Sequence, residues 1–326
     1  MLAMHTHSLR RVFKGLGTTI ELRVWPQTGR EQLAAGSLAH AARFLRQAEA
    51  RLSRFDPEAE LSRLNRGTRT PRRVSRLTFA VIRAALSAAE ATDGLFDPTI
   101  LQALLAAGYD RSFDKLRDRS GSSGSLVNAE APLCGQWRAI RLDSAARTVW
   151  LPPGVGLDLG GIAKGWLADR VLEGLRRAGP AYADLGGDIA FSAPRPGTDH
   201  WRIEIEDPRA AEGTAAIMRL AGGGVATSGV TRRAWTVGSE LRHHLIDPRN
   251  GRPAVTDLLS VTIAAPSAAA AEVAAKATLL LGAEAGRRAL LLSGQLAGVL
   301  LPAAGGPIIV GDCGGPAPAS ERKTST

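Results

Sequence analysis

Along residues 18–25 apolar and polar side chains alternate, with Ile20, Leu22 and Val24 on one face, which predicts a strand leaving the Gly15-Leu16-Gly17 turn. The period then changes. From 32 to 52 the apolar positions Leu33, Leu38, Ala41, Phe44, Leu45, Ala48 and Leu52 follow helical spacing, so a surface helix follows that strand. A short helical turn over 62–67 closes on Gly67, and Ser75 caps a second amphipathic helix that runs to about Ala91. The string 92–99 breaks it, and Asp97 caps a further helix with Pro98 at its first position. Strands are expected at 139–142, 148–151, 182–184, 201–206 and 259–264, helices at 163–178 and 268–281, a glycine-rich turn at 222–229 and a turn-bounded segment at 243–251. This mixture favours an α+β fold over a doubly wound sheet. Residues 10–313 form one domain in this reading, with a polar loop or insertion at 114–136, a flexible start over 1–9 and a disordered tail over 314–326.

Residues 158–164 (Asp-Leu-Gly-Gly-Ile-Ala-Lys) read as a strand ending in a glycine turn that opens a helix. A helix start concentrates unpaired N–H groups and the positive end of the dipole, glycine lets an anion approach the main chain, and Lys164 adds charge one turn in. A phosphorylated ligand is the natural expectation. The related string Asp184-Leu-Gly-Gly-Asp188 makes a second turn of the same kind.

Composition narrows the field little. The chain has 326 residues, 44% hydrophobic and 22% charged, as in soluble globular proteins, and no apolar run reaches the ~18 residues of a membrane span. The first residues are basic but lack an apolar core, Cys134 and Cys313 form no disulfide framework or metal spacing, and cytoplasm is the expected compartment. The net charge of +10 comes from scattered arginines without an aromatic-interleaved stripe, which argues against nucleic acid as partner. Lysine is scarce: Lys14, Lys115, Lys164, Lys276 and Lys323 are all there are.

Several segments follow one another in a telling order: Leu16-Gly17-Thr18; Ser53-Arg54-Phe55 through Ser62 and Asn65; Gly94-Leu95-Phe96-Asp97-Pro98-Thr99; 158–165; 185–188; Ala226-Thr227-Ser228-Gly229; His244-Leu245-Ile246-Asp247-Pro248 with Gly251; and 271–278. In these motifs the chain resembles the FAD:protein FMN transferases, the ApbE-type flavin transferases, over about residues 16–282. The resemblance implies a T-fold-like α+β architecture of mixed or antiparallel sheets packed with helices. It implies that FAD is split at its pyrophosphate, that the FMN part joins a threonine of a target flavoprotein through a phosphoester, and that AMP leaves. Such phosphoryl-type transfer needs the pyrophosphate held, its charge neutralised and a hydroxyl relieved of its proton.

By the same resemblance, Leu16, Phe55 and Leu95-Phe96-Asp97 surround FAD, with Ile246 also at the ligand, although core packing would explain Phe55 equally. Asn65 resembles a pocket residue, with a helix C-cap as the alternative. Asp158 and Lys164 belong beside the ligand, and the carbonyl of Gly161 is a metal ligand. His244 and Asp247 would orient or deprotonate the attacking threonine; a histidine satisfied by a backbone carbonyl is the alternative. Thr227 and Ser228 either present hydroxyls and amides to phosphate or form a tight turn.

At one place the chain departs from the pattern. The family carries Mg2+ ligands on its C-terminal helix as an Asp and, four residues on, a Thr, whereas this chain has Glu272 and Lys276. An ammonium cannot coordinate Mg2+ and repels it. Either the Lys276 amine takes the cation's place, in a metal-independent or weakened transferase, or Glu272 and Lys276 form an (i, i+4) ion pair in a protein that binds FAD without cleaving it.

Overall fold

The computed structural model describes residues 7–67, 70–113, 116, 134–210, 213–237 and 240–313. Eight strands make the main sheet: β1 (Leu9–Gly15), β2 (Thr18–Val24), β3 (Ala181–Leu185), β4 (Ile189–Phe191), β5 (Gly223–Gly229), β6 (Leu258–Ala265), β7 (Ala297–Pro302) and β8 (Ile308–Val310). They lie side by side in chain order, and every neighbouring pair is antiparallel. The other helices and strands described are excursions between consecutive strands of this sheet.

The longest excursion, between β2 and β3, carries α1 (Glu31–Leu52), α2 (Glu60–Asn65), α3 (Arg76–Ala91), α4 (Leu101–Ala106) and α5 (Ala163–Leu175). Between β6 and β7 come α6 (Ala268–Leu281) and α7 (Ala283–Ser293). The apolar stripe of α1 (Ala34, Leu38, Ala41, Leu45, Ala48, Leu52) and the buried face of α5 (Leu167, Ala168, Val171, Leu175) share one core with Ile20, Leu22, Val24, Ala183 and Leu185 of the sheet. Farther along, α6 covers β5 and β6 through Ala275 and Leu279 against Val261 and Ile263. The opposite face is covered by the hairpin Trp201–Glu206/Thr214–Leu220, whose Trp201, Ile205 and Met218 meet Trp25, Phe191, Val225 and Ala264.

Several local expectations hold. Ser75 Oγ accepts from Thr78 N at 3.2 Å and caps α3, and α6 spans the residues its alanine-rich pattern indicates. Others are corrected. Residues 223–229 are β5 rather than a turn, because Gly224–Gly229 pair with β6 and Gly223–Val225 with β4. The segment before Gly160 is not a strand; it runs extended outside the sheet, tied by Asp158 N to Pro98 O at 2.8 Å. Asp97 caps a turn at 98–100, with α4 starting only at Leu101. The flexible start is shortened, since Leu9 already pairs with Val24. The expected tail at 314–326 lies outside the described residues, as does most of the loop at 114–136, of which Gly135 and Gln136 open a short 3-10 turn.

One close approach sets the relation of the two helices that matter most below. A Cβ on Gly165, in the first turn of α5, would lie 2.5 Å from the carbonyl oxygen of Ala268 at the start of α6. Gly165→Ala therefore has to push the helices apart and should cost about 1–3 kcal/mol, read as a lower denaturant midpoint. An unchanged midpoint would contradict this packing.

Candidate functional site

A cleft of about 320 Å³ opens at one end of the helical layer. Its rim takes Leu16 and Gly17 from the β1–β2 turn, where Leu16 adopts a positive φ of 54° and its N–H reaches Glu49 Oε1 at 2.8 Å. The end of α1, residues 53–55, Tyr109, the stretch 158–164, Arg233, His244 and Lys276 complete the wall.

Arg54 organises one side. Its guanidinium lies 4.1 Å from the Phe55 ring centroid and 4.5 Å from that of Tyr109, and the two rings meet edge-on at 5.6 Å. Nε pairs with Asp158 Oδ2 at 2.6 Å and Nη1 donates to Tyr109 O at 2.9 Å, while Nη2 is buried without a partner. Asp158 Oδ1 meanwhile accepts from Gly160 N at 2.9 Å. Asp158 thus holds the turn and the arginine together. Phe55 is 40% exposed, so it lines the cleft rather than the core.

The opposite side is a charge cluster. Lys164 is bonded to Asp188 Oδ2 and lies 3.8 Å from Glu272 Oε1; Glu272 Oε2 accepts from Gly165 N at 2.9 Å. Glu272 thereby occupies part of the helix start that sequence reasoning offered to a ligand, and Lys164 is neutralised by two carboxylates. Lys276 is different. It makes no hydrogen bond or ion pair among the described residues, does not pair with Glu272, and sits 5.6 Å from the Phe96 ring centroid. Burial holds its amine below the ordinary lysine value, against the pull of Glu272 and Asp158.

His244 lines the cleft near Tyr109, the ring centroids 6.5 Å apart, with Nδ1 buried and unpartnered. Burial, then the charges of Arg233 and Lys276, keeps its imidazole well below the usual histidine range. His243 Nε2 lies 3.0 Å from Ala254 O, and at His244 a hydrogen bond with the Arg233 backbone pulls the pKa upward without offsetting burial.

Other expected residues are not brought to the cleft wall. Asp247 is turned into its own loop, where Arg249 Nη2 reaches Oδ2 at 2.7 Å and Arg249 N reaches Oδ1 at 3.0 Å; burial raises its pKa, but the arginine outweighs burial and keeps it low. Ile246 is buried against Ile100, Tyr109 and Trp235. Asn65 spans the main chain of Leu157, donating to its O and accepting from its N, both at 2.8 Å, so it fixes the approach to Asp158 rather than a helix cap. Asp97 holds Thr99 and Gly135 N; Phe96 is buried behind Gly161, next to Leu95. Thr227 hydrogen-bonds Thr262 across β5 and β6 at 2.8 Å, and Ser228 is buried in the same strand.

The donor set does not fit Mg2+. That ion needs oxygen ligands at about 2.0–2.1 Å in near-octahedral array. Here Glu272 is committed to Gly165 and Lys164, the next position is an ammonium, and the described residues hold no group of three or more His, Cys, Asp or Glu placed for a metal.

Sequence reasoning missed Arg54, Tyr109, Arg233 and Asp188 as site residues. Asp188 had a signal in the second glycine string, and Tyr109 is one of only two tyrosines. Arg233 stands among scattered arginines and had none.

Comparison with known proteins gives a consistent result. The ApbE family profile matches residues 16–300. An FAD:protein FMN transferase from Treponema pallidum is 30% identical over 289 residues, covering 82% of this chain and 77% of its own. One from Klebsiella pneumoniae is 31% identical over 228 residues, 68% of each chain. The crystal structure of the apbe protein from Thermotoga maritima superposes with a TM-score of 0.80 at 26% identity, covering 93% of this chain and 97% of that one.

The depressed pKa of His244 carries a sign. Below the ordinary value of 6.5 the unfolded chain binds a proton here that the folded chain does not, so stability is unaffected above that value and falls as pH drops toward the depressed one. Between about pH 7 and about pH 5 the denaturant midpoint should fall, and His244→Asn should reduce the slope, with a residual share from His243, which burial also lowers. Equal slopes in both proteins would show that His244 does not titrate as a buried group.

Proposed function

Because this chain belongs to the ApbE family, we infer that it is an FAD:protein FMN transferase acting on a threonine of a partner flavoprotein. The observation that carries the reading is the juxtaposition, in one cleft, of an aromatic wall, two cations without carboxylate partners among the described residues and an uncharged imidazole. Phe55, Tyr109 and Leu16 offer apolar surface to the rings of FAD. Lys276 and Arg233 face the pyrophosphate, with Asp158 fixing the turn beside it. Lys164, Asn65, Leu95, Phe96 and Asp97 support these groups from behind. Residues 10–313 act as one unit, since the cleft draws on both the long excursion after β2 and on α6.

In the reaction the threonine Oγ attacks the phosphorus of the FMN half. The Oγ–P bond forms as the bond from that phosphorus to the bridging oxygen breaks, and AMP leaves with that oxygen and its electron pair. The hydroxyl proton passes to His244, which burial keeps unprotonated and whose basicity recovers as the bound pyrophosphate offsets the charges of Arg233 and Lys276. Charge building on the leaving phosphate is met by Lys276 and Arg233. No helix among the described residues is long and apolar enough to cross a membrane.

Incubation with FAD and a threonine-containing target peptide should give a peptide heavier by FMN, together with free AMP. His244→Asn should keep FAD binding and lose transfer by about 10²–10⁴-fold. FAD binding with neither adduct nor AMP would leave a flavin-binding protein of the same fold and reject the enzyme.

A further inference from the structure

The mismatch at the expected metal position has a positive side. An ideal Cβ on Gly161 would fall 1.8 Å from Lys276 Nζ, so the ammonium lies directly against the glycine turn, and only glycine admits it there. Phe96 closes the space behind, with its ring edge 3.1 Å from the same point. The amine projects from α6, which Glu272 ties to the first turn of α5 and which Asp169 caps by accepting from Ala268 N and Ala269 N at 2.8 and 3.0 Å. Lys276 is therefore held by the scaffold while its three N–H donors find no protein acceptor among the described residues. A charge withdrawn from water without a counter-ion is costly. An anionic ligand resting on the 158–164 turn would supply that counter-ion.

We propose that the Lys276 ammonium is a built-in cation that neutralises the pyrophosphate, so that this chain binds FAD and transfers FMN without a divalent metal. This rests on the transferase reading above. The chemistry is that of a point charge with three donors, which can bridge oxygens of both phosphates and stabilise the leaving AMP. A divalent ion at the same place would meet a fixed positive charge, and the carboxylates that act on Lys276 are already engaged, Glu272 by Gly165 and Lys164 and Asp158 by Arg54 and Gly160.

The test uses the full chain after exhaustive treatment with EDTA. FAD binding is followed by flavin fluorescence and calorimetry with and without added Mg2+, and transfer to the target peptide is followed by mass. FAD affinity and single-turnover transfer should be the same in both arms. Lys276→Met should weaken FAD by about 10–100-fold, the loss of a charge-assisted contact, while leaving affinity for riboflavin, which has no phosphate, unchanged. Riboflavin binding also certifies that the variant is folded, and the EDTA arm needs no variant at all. Transfer that appears only with Mg2+, tighter FAD binding on adding Mg2+, or equal losses for FAD and riboflavin would overturn the proposal while the transferase reading stands. Failure to bind FAD in either arm would remove both.

Discussion

The contact on which the site depends is the carboxylate of Glu272 at the amide of Gly165. It joins α6 to the first turn of α5 where Gly165 already brings their backbones together, and from that junction the cleft side chains are positioned. One turn further along α6, Lys276 reaches the Gly161 turn; one residue before Gly165, Lys164 turns to Asp188 and Glu272. A buried carboxylate that satisfies a helix-start N–H and a lysine at once leaves little of its charge uncompensated. Such a carboxylate holds the two helices together.

The electrostatics divide accordingly into spent and unspent charge. Arg54 with Asp158, and Lys164 with Asp188 and Glu272, are closed accounts that shape the walls. Lys276 and Arg233 have no such partner among the described residues, and their combined field helps keep His244 neutral. In the proposed reaction the same two cations face the pyrophosphate, and they lower the basicity of the imidazole beside it. A base weakened in this way still accepts a proton once a bound pyrophosphate offsets the nearby positive charge, which couples proton uptake to ligand binding.

Much of the fold was legible because its elements are amphipathic. The α1 stripe, the Ser75 cap and the α6 alanine run each carry a local signal, and the motif order pointed to the right family. Signal failed where context decides. Residues 222–229 look like a turn because three glycines open them, yet neighbours on both sides recruit 223–229 into the sheet. β1 was overlooked because an edge strand rich in Arg and Lys has little hydrophobic alternation. At the site, sequence could name Asp158, His244 and Lys276 but not their partners, since Asn65 with Leu157, and Arg54 with Tyr109, meet only through the tertiary fold.

Replacing a divalent ion by a tethered ammonium changes more than charge count. A bound Mg2+ keeps several waters and adapts its position to the phosphates, whereas Lys276 is covalently fixed to α6 and supplies one charge in place of two. Arg233 beside it makes up the difference in charge without adding a coordination demand. What the arrangement loses in Lewis acidity it recovers in preorganisation: the cation is in place before the dinucleotide arrives, and no water shell has to be stripped from a metal. The glycine at 161 leaves the amine room against the turn, since a Cβ there would lie 1.8 Å from Nζ and displace the lysine tip.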